Sequence, residues 1–187
     1  TDPLNNKTTL TYDTNDNLTS TTDSKSNVYN FSYDTNSNLT QVKDPDNQAT
    51  NFTYNTSGQL TKIVDAKSGV TEFSYDTSGN LIKTTNPLGK LTNYSYDTQG
   101  RLTSLTDPKG NVFSYTYDGV DHLTQLTNPD ATTTDYTYNC CNLIQITDKN
   151  GTLQFSYDAL ARMSNFTNYD NKVISYTYDS EGNLITL

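Results

Sequence analysis

The segment Phe73-Ser74-Tyr75-Asp76-Thr77-Ser78-Gly79-Asn80-Leu81 recurs, with variations, nine times along a chain of 187 residues, and the rest of the sequence connects one copy to the next. Its tyrosine returns as Tyr12, Tyr33, Tyr54, Tyr75, Tyr96, Tyr117, Tyr138, Tyr157 and Tyr178, at a spacing of 21 residues except for the 19 between Tyr138 and Tyr157. A fixed period of this length is the mark of a repeat architecture. Two residues before each tyrosine stands another large apolar residue: Leu10, Phe31, Phe52, Phe73, Tyr94, Tyr115, Tyr136, Phe155 or Tyr176. One residue after it comes Asp or Asn. Six residues after it comes Leu18, Leu39, Leu60, Leu81, Leu102, Leu123 or Leu184, with Met163 in one further copy and Leu143 one place early in the shortened one. Later in the period an Asp-Pro or Asn-Pro follows at Asp44-Pro45, Asn86-Pro87, Asp107-Pro108 and Asn128-Pro129.

Within one copy, Glu72-Phe73-Ser74-Tyr75 alternates polar and aromatic residues, which puts Phe73 and Tyr75 on one face of a half-buried strand. Asp76-Thr77-Ser78-Gly79 reads as a type I turn with glycine in the left-handed position, closing a hairpin with a bulge. Asp76 is expected to accept a hydrogen bond from the backbone two residues on. Gly58, Gly100 and Gly182 fill the slot of Gly79 in other copies. Asp16, Ser37, Asp121 and Ala161 stand there elsewhere, and Ser37 and Ala161 are expected to mark strained or differently shaped turns. Leu81-Ile82-Lys83-Thr84-Thr85 is the return strand, ended by the second turn, Asn86-Pro87-Leu88-Gly89.

The return strand carries apolar residues three apart, as in Leu39 and Val42 or Leu60 and Ile63, and three apart cannot share a face of a regular strand. Either the leucine belongs to the bulged turn and packs beneath it, or a bulge interrupts the strand. The turn already expects an extra residue, which favours the first reading. Nine hairpins give about 18 strands, and short connections favour an all-β, continuous antiparallel meander. A ribbon of that length must twist and coil. The repeated tyrosines, with Phe31, Phe52, Phe73, Leu39, Leu60, Leu81, Leu102 and Leu123, are its expected core, and no stretch has the periodicity of a helix.

The pattern Tyr-Asp-x-x-Gly-Asn-Leu, with an Asp-Pro-x-Gly turn half a period later, resembles the YD repeats of the Rhs (rearrangement hot spot) family. Those repeats are shared with insecticidal toxin complexes, wall-associated proteins and teneurins. The resemblance spans residues 1–187 and implies a curled array of hairpins, a spiralling β-shell or a tube segment. It names a repeat and not an activity.

Only 32% of the residues are hydrophobic, yet there are 15 Tyr and 6 Phe, which suits pleated strands more than disorder. A formal net charge of −9 and the lack of a basic stripe argue against a nucleic-acid partner. No apolar run reaches the roughly 20 residues that a membrane-spanning helix needs, and Thr1 onward does not read as a charged-then-apolar leader, so any export signal is expected elsewhere. The register at both ends fits a chain cut at a repeat boundary, an excerpt of a longer array. Cys140 and Cys141 are adjacent, so an intrachain disulfide would close only a strained ring. They read as free thiols in a variant turn, the alternatives being an interchain cross-link or a soft-metal site. The shortened copy around them is expected to be the irregular point of the sheet.

Chemistry is sparse. His122 is the only histidine. A nucleophilic arrangement would need Ser114 or Asp118 beside it, and the residue reads as a solvent-facing member of a tolerant turn position. The recurring Asp13, Asp34, Asp76, Asp97, Asp118, Asp158 and Asp179 lie two strands apart, about 9.6 Å, too far for neighbours to share a calcium ion. They read as turn caps. Asp107-Pro108-Lys109-Gly110 resembles the signature near the self-cleavage site of Rhs toxins, but stands here as an ordinary turn within the array. Sequons occur at Asn6, Asn17, Asn30, Asn38, Asn51, Asn55, Asn93, Asn150 and Asn165, where the abundance of Asn, Ser and Thr accounts for most of them.

The expectation is therefore a scaffold that is extracellular or at the cell surface, and not an enzyme. No metal or cofactor is expected and no membrane insertion. Its expected partners are further YD repeats or head-to-tail copies. Two further functions stand beside it: a fragment of a cocoon that delivers a C-terminal toxin, and adhesion to glycans or a partner cell through aromatic rows.

Overall fold

A computed structural model describes residues 7–186. Among them there is no helix and there are nineteen strands, seventeen in one antiparallel meander sheet and the last two in a separate pair. The chain divides into two compact units, Thr1–Asn93 and Tyr94–Leu187, with the division inside one strand.

The first unit runs through β1 (Thr9–Tyr12), β2 (Leu18–Thr22), β3 (Val28–Tyr33), β4 (Leu39–Lys43), β5 (Ala49–Tyr54), β6 (Leu60–Val64), β7 (Val70–Tyr75) and β8 (Leu81–Thr85) into β9 (Leu91–Tyr96). Each strand pairs with the next in sequence. The second unit continues with β10 (Leu102–Thr106), β11 (Val112–Tyr117), β12 (Leu123–Thr127), β13 (Thr133–Asn139), β14 (Asn142–Asp148), β15 (Gly151–Tyr157), β16 (Met163–Thr167) and β17 (Val173–Ser175). It ends on β18 (Thr177–Tyr178) paired with β19 (Leu184–Thr186). The strand before Tyr178 is interrupted at Tyr176, whose N–H still reaches the carbonyl of Ser164 at 2.9 Å. That interruption turns two strands per repeat into nineteen in all.

The register explains the apolar spacing and corrects the reading of the leucine. In the hairpin of β7 and β8, Tyr75 pairs with Leu81, but Ser74 pairs with Lys83 and Phe73 with Thr84. Ile82 is the extra residue. Leu81 is therefore the first residue of the strand, and a bulge inside the strand, beyond the one in the turn, returns Leu81 and Thr84 to a single face. The same shift lets Phe52 meet Ile63 while Tyr54 meets Leu60, and lets Phe155 meet Phe166 while Tyr157 meets Met163. The next strand extends the face, with Ile63 opposite Thr71. The other face is polar: Lys62 stands opposite Glu72, and the Gln41 and Gln125 side chains donate to Asn51 and Asp135 at 2.7 and 2.6 Å.

The sheet is thus amphipathic, as period-two alternation with one compensating bulge requires. No described residue is fully buried. Tyr33, Tyr54, Tyr75, Phe31, Phe52 and Phe73 are half-buried, as are Leu39, Leu60, Leu81, Leu102 and Leu123, whereas Tyr12 on the first strand is exposed.

Both turns of a regular repeat share one shape, and the glycine and non-glycine versions do not differ in it. Gly79 has φ 92° and its N–H bonds the Asp76 carbonyl at 3.1 Å. Ser37 and Ala161 take the same turn at φ 62° and 59°, with N–H to carbonyl distances of 3.1 and 3.0 Å. The expected difference in shape is absent and only the strain of a left-handed L residue remains. At Asp44-Pro45 and Asn86-Pro87 the proline takes the first central position, followed by Asn47 at φ 62° and Gly89 at 71°.

The shortened repeat also departs from expectation. It has two-residue loops, Cys140-Cys141 and Lys149-Asn150, because Asn139 pairs with Asn142 and Asp148 with Gly151. Its turns change type, but β13, β14 and β15 are each seven residues long against five or six in regular repeats. Against the five-residue loops of regular repeats the two loops give up six residues, of which two are missing from the chain and four become ladder length, so the ladder is longest here and this is not its irregular point. The proposed N-terminal edge from Leu4 begins outside the described residues, as does Leu187 at the other end, and so does the sequon at Asn6.

Candidate functional site

The recurrent constellation is the Tyr-Asp hairpin tip. In the central copy Oδ1 of Asp76 accepts from the backbone N–H of Ser78 and of Asn80, both at 2.9 Å, and Oδ2 accepts from Nδ2 of Asn80 at 3.0 Å. The carboxylate satisfies the loop's inward amides, which no ladder partner reaches. The Asn80 side-chain bond, ahead of the bond from its backbone N–H, holds the Asp76 carboxyl below the ordinary carboxylate range. Asp13, Asp34 and Asp179 repeat the arrangement with Asn17, Asn38 and Asn183. Asn55 accepts the same two amides at 3.0 Å while its Nδ2 donates to Gln59. The turn needs an acceptor, not a charge.

The tyrosine acts between hairpins, which spacing within one repeat cannot show. The hydroxyl of Tyr33 donates to the carbonyl of Leu18 at 3.0 Å, that of Tyr54 to Leu39 at 2.9 Å, and that of Tyr75 to Leu60 at 2.8 Å. Tyr117 reaches Leu102, Tyr157 reaches Leu143 and Tyr178 reaches Met163, at 2.8 to 2.9 Å. Each bond joins a tyrosine to the repeated leucine, or Met163, of the preceding hairpin, which opens the return strand in every case but Leu143, the second residue of β14. One sequence signal pointed here: the repeat position is always Tyr, whereas Phe, Tyr or Leu serves two residues earlier.

The residue four places after the Asp also reaches forward. Asn17 donates to the Ser37 hydroxyl, and Gln59 to the carbonyl of Gly79. Arg101 pairs with Asp97 at 2.7 Å through Nε, reaches Asp121 and the Asp118 carbonyl, and lies 4.9 Å over the Tyr117 ring. Arg162 does the same with Asp158 and Tyr178. His122 occupies this position, so it is not a solvent-facing turn residue. It is half-buried, its Nδ1 lies 2.9 Å from Asp118 Oδ2, and its ring stacks on Tyr138 at 4.3 Å. The position reads as tolerant, but it holds Asn, Gln, Arg or His, all side-chain donors.

The remaining candidates fall into this scheme. Among the described residues no three His, Cys, Asp or Glu side chains gather as a metal site, and each recurring Asp is engaged by its own turn. Asp107 to Gly110 forms an ordinary turn, with Gly110 at φ 86°. Asn51, Asn93 and Asn165 pair across strands on the polar face, while Asn17, Asn38 and Asn55 serve their turns. Cys140 and Cys141 are free and exposed.

A one-layer meander of β-hairpins, stapled repeat to repeat through tyrosine hydroxyls, defines a β-repeat scaffold. The Teneurin YD-shell family matches residues 3–142, and the chain belongs to that family, a structural shell repeat. No curated protein matches the chain. Among solved structures, that of TcdB2-TccC3-Cdc42 is similar with a TM-score of 0.66 and 19% identity, over 95% of this chain and 12% of that one. The Photorhabdus luminescens Tc holotoxin pore is similar with a TM-score of 0.64 and 19% identity, over the same shares of the two chains. At this identity the likeness is one of fold, and the chain spans about an eighth of the length of those chains.

Proposed function

We propose that this chain is a non-enzymatic segment of an extracellular β-shell, whose task is to persist, extend and enclose. The observation that carries this reading is the amphipathic sheet itself. Its hairpins are joined by tyrosine hydroxyls and forward-reaching Asn, Gln, Arg and His side chains, while its apolar face has no described residue enclosed on it. Such a face gains stability when further repeats continue the ladder and the sheet closes over an interior, because apolar area leaves water. Further YD repeats, or copies joined head to tail, are its proposed partners, and the joined form is a tube or filament.

Light scattering and electron microscopy of the isolated chain test this. Rings, tubes or filaments are expected, and a monomer that is insensitive to dilution overturns head-to-tail assembly.

The second reading is a piece of a cocoon around a toxin, favoured by the likeness to the Tc holotoxin pore. It predicts a domain of the full gene product that resists protease until the shell is opened. Adhesion through the aromatic rows predicts binding of the isolated chain to a glycan array.

A further inference from the structure

Cys140 and Cys141 are the only cysteines of the chain and form the whole of the loop between Asn139 and Asn142, at the end of two seven-residue strands. Successive side chains of a strand point to opposite faces. Here Cys140 takes φ 57°, and the turn brings the two Sγ atoms to 3.1 Å on an exposed tip.

The geometry points to a two-thiolate binding site for a soft monovalent cation of the Cu(I) class at the Cys140-Cys141 tip. Thiolates select soft ions. Zinc needs four ligands, or three and an open position, and among the described residues no third His, Cys, Asp or Glu joins the pair. A two-coordinate ion needs no third. With metal–sulfur bonds of about 2.3 Å, as in zinc thiolates, a linear pair holds its sulfurs about 4.6 Å apart. The exposed side chains reach that separation by rotating about χ1. On binding, two S–H bonds break, two metal–sulfur bonds form and two protons pass to solvent. No electron moves, and because protons are released on binding, affinity falls as pH falls.

The test is an anaerobic titration of the reduced 187-residue chain with Cu(I), supplied as its acetonitrile complex and read by competition with bicinchoninate. The expected result is one copper per chain, lost in Cys140→Ser, in Cys141→Ser and in wild-type protein blocked with N-ethylmaleimide, and kept in the presence of equimolar Zn(II). Blocking the thiols leaves the sequence unchanged, so it separates loss of the ligands from misfolding of a variant. Copper retained in either single variant or in the blocked protein overturns the site, as does displacement by zinc. One copper shared by two chains assigns the thiols to an interchain contact and overturns the site as well.

Discussion

The hairpin of β7 and β8 and that of β13 and β14 solve the same problem with different turns. The first closes over five residues, with Asp76 binding the amides of Ser78 and Asn80 and Gly79 left-handed. The second closes over two cysteines, has no carboxylate at Asn139, and extends its ladder to the Asn139 and Asn142 pair. Yet both keep the tyrosine opposite the leucine, Tyr75 with Leu81 and Tyr138 with Leu143, and both keep the bulge just before it. The shortened copy also supplies the acceptor for the next staple, Tyr157 to Leu143 at 2.8 Å. Turns are therefore replaceable in this fold, and the tyrosine–leucine register is what the repeat holds fixed.

Acid separates the two hairpins most widely, because it acts on many turns at once. The carboxyls of Asp13, Asp34, Asp76 and Asp179 sit below the ordinary 3.8, chiefly through the side-chain bond of the Asn four residues on. A depressed folded value means stability that is fully present above the unfolded value and is lost as pH falls through the folded one. Below pH 3.8 the amides of Ser78 and Asn80 should lose hydrogen-exchange protection, after correction for intrinsic rates, while the ladder at Asn139 and Asn142 keeps its own. Equal loss in both hairpins counts against the turn-cap account.

Tyr75→Ala comes next. It removes a half-buried ring and its hydroxyl bond together, at about 2–3 kcal/mol, below the ~3–5 of a fully enclosed aromatic, and a urea midpoint measures it. Ala161→Gly is smaller and opposite in sign. It relieves a left-handed alanine at φ 59° and should stabilise by about 1 kcal/mol. An unmoved midpoint would show that the turn carries no strain. Asp76→Asn should change the melting temperature least at neutral pH, since Asn55 already accepts the same amides. A loss as large as that of Tyr75→Ala would make the charge, rather than the acceptor, the requirement.

Much of this was legible from residues. The 21-residue period, the alternation of Phe73 and Tyr75, and the glycine or Asn-Pro turn chemistry are local signals, and local signals placed the strands and turns. The partner of the tyrosine hydroxyl lies 14 or 15 residues back, in the preceding hairpin, and depends on a register that no single copy encodes. The apolar spacing of three announced a bulge, but not whether it sat in the turn or beyond Leu81. The role of His122 is hidden for a similar reason: its ring partner, Tyr138, belongs to the following hairpin.

The most direct test is removal of one oxygen. Tyr75→Phe and Tyr157→Phe keep the ring and delete the bond to Leu60 and to Leu143. Each should lower stability by about 0.5–1.5 kcal/mol in urea unfolding, with an unchanged slope and the same loss in the regular and the shortened repeat. Tyr94→Phe, at the position where Phe, Tyr and Leu interchange, should leave the midpoint in place. Midpoints unmoved by Tyr75→Phe and Tyr157→Phe, or moved as much by Tyr94→Phe, would contradict the claim that the hydroxyl bond, beyond the ring itself, ties these hairpins to the ones before them.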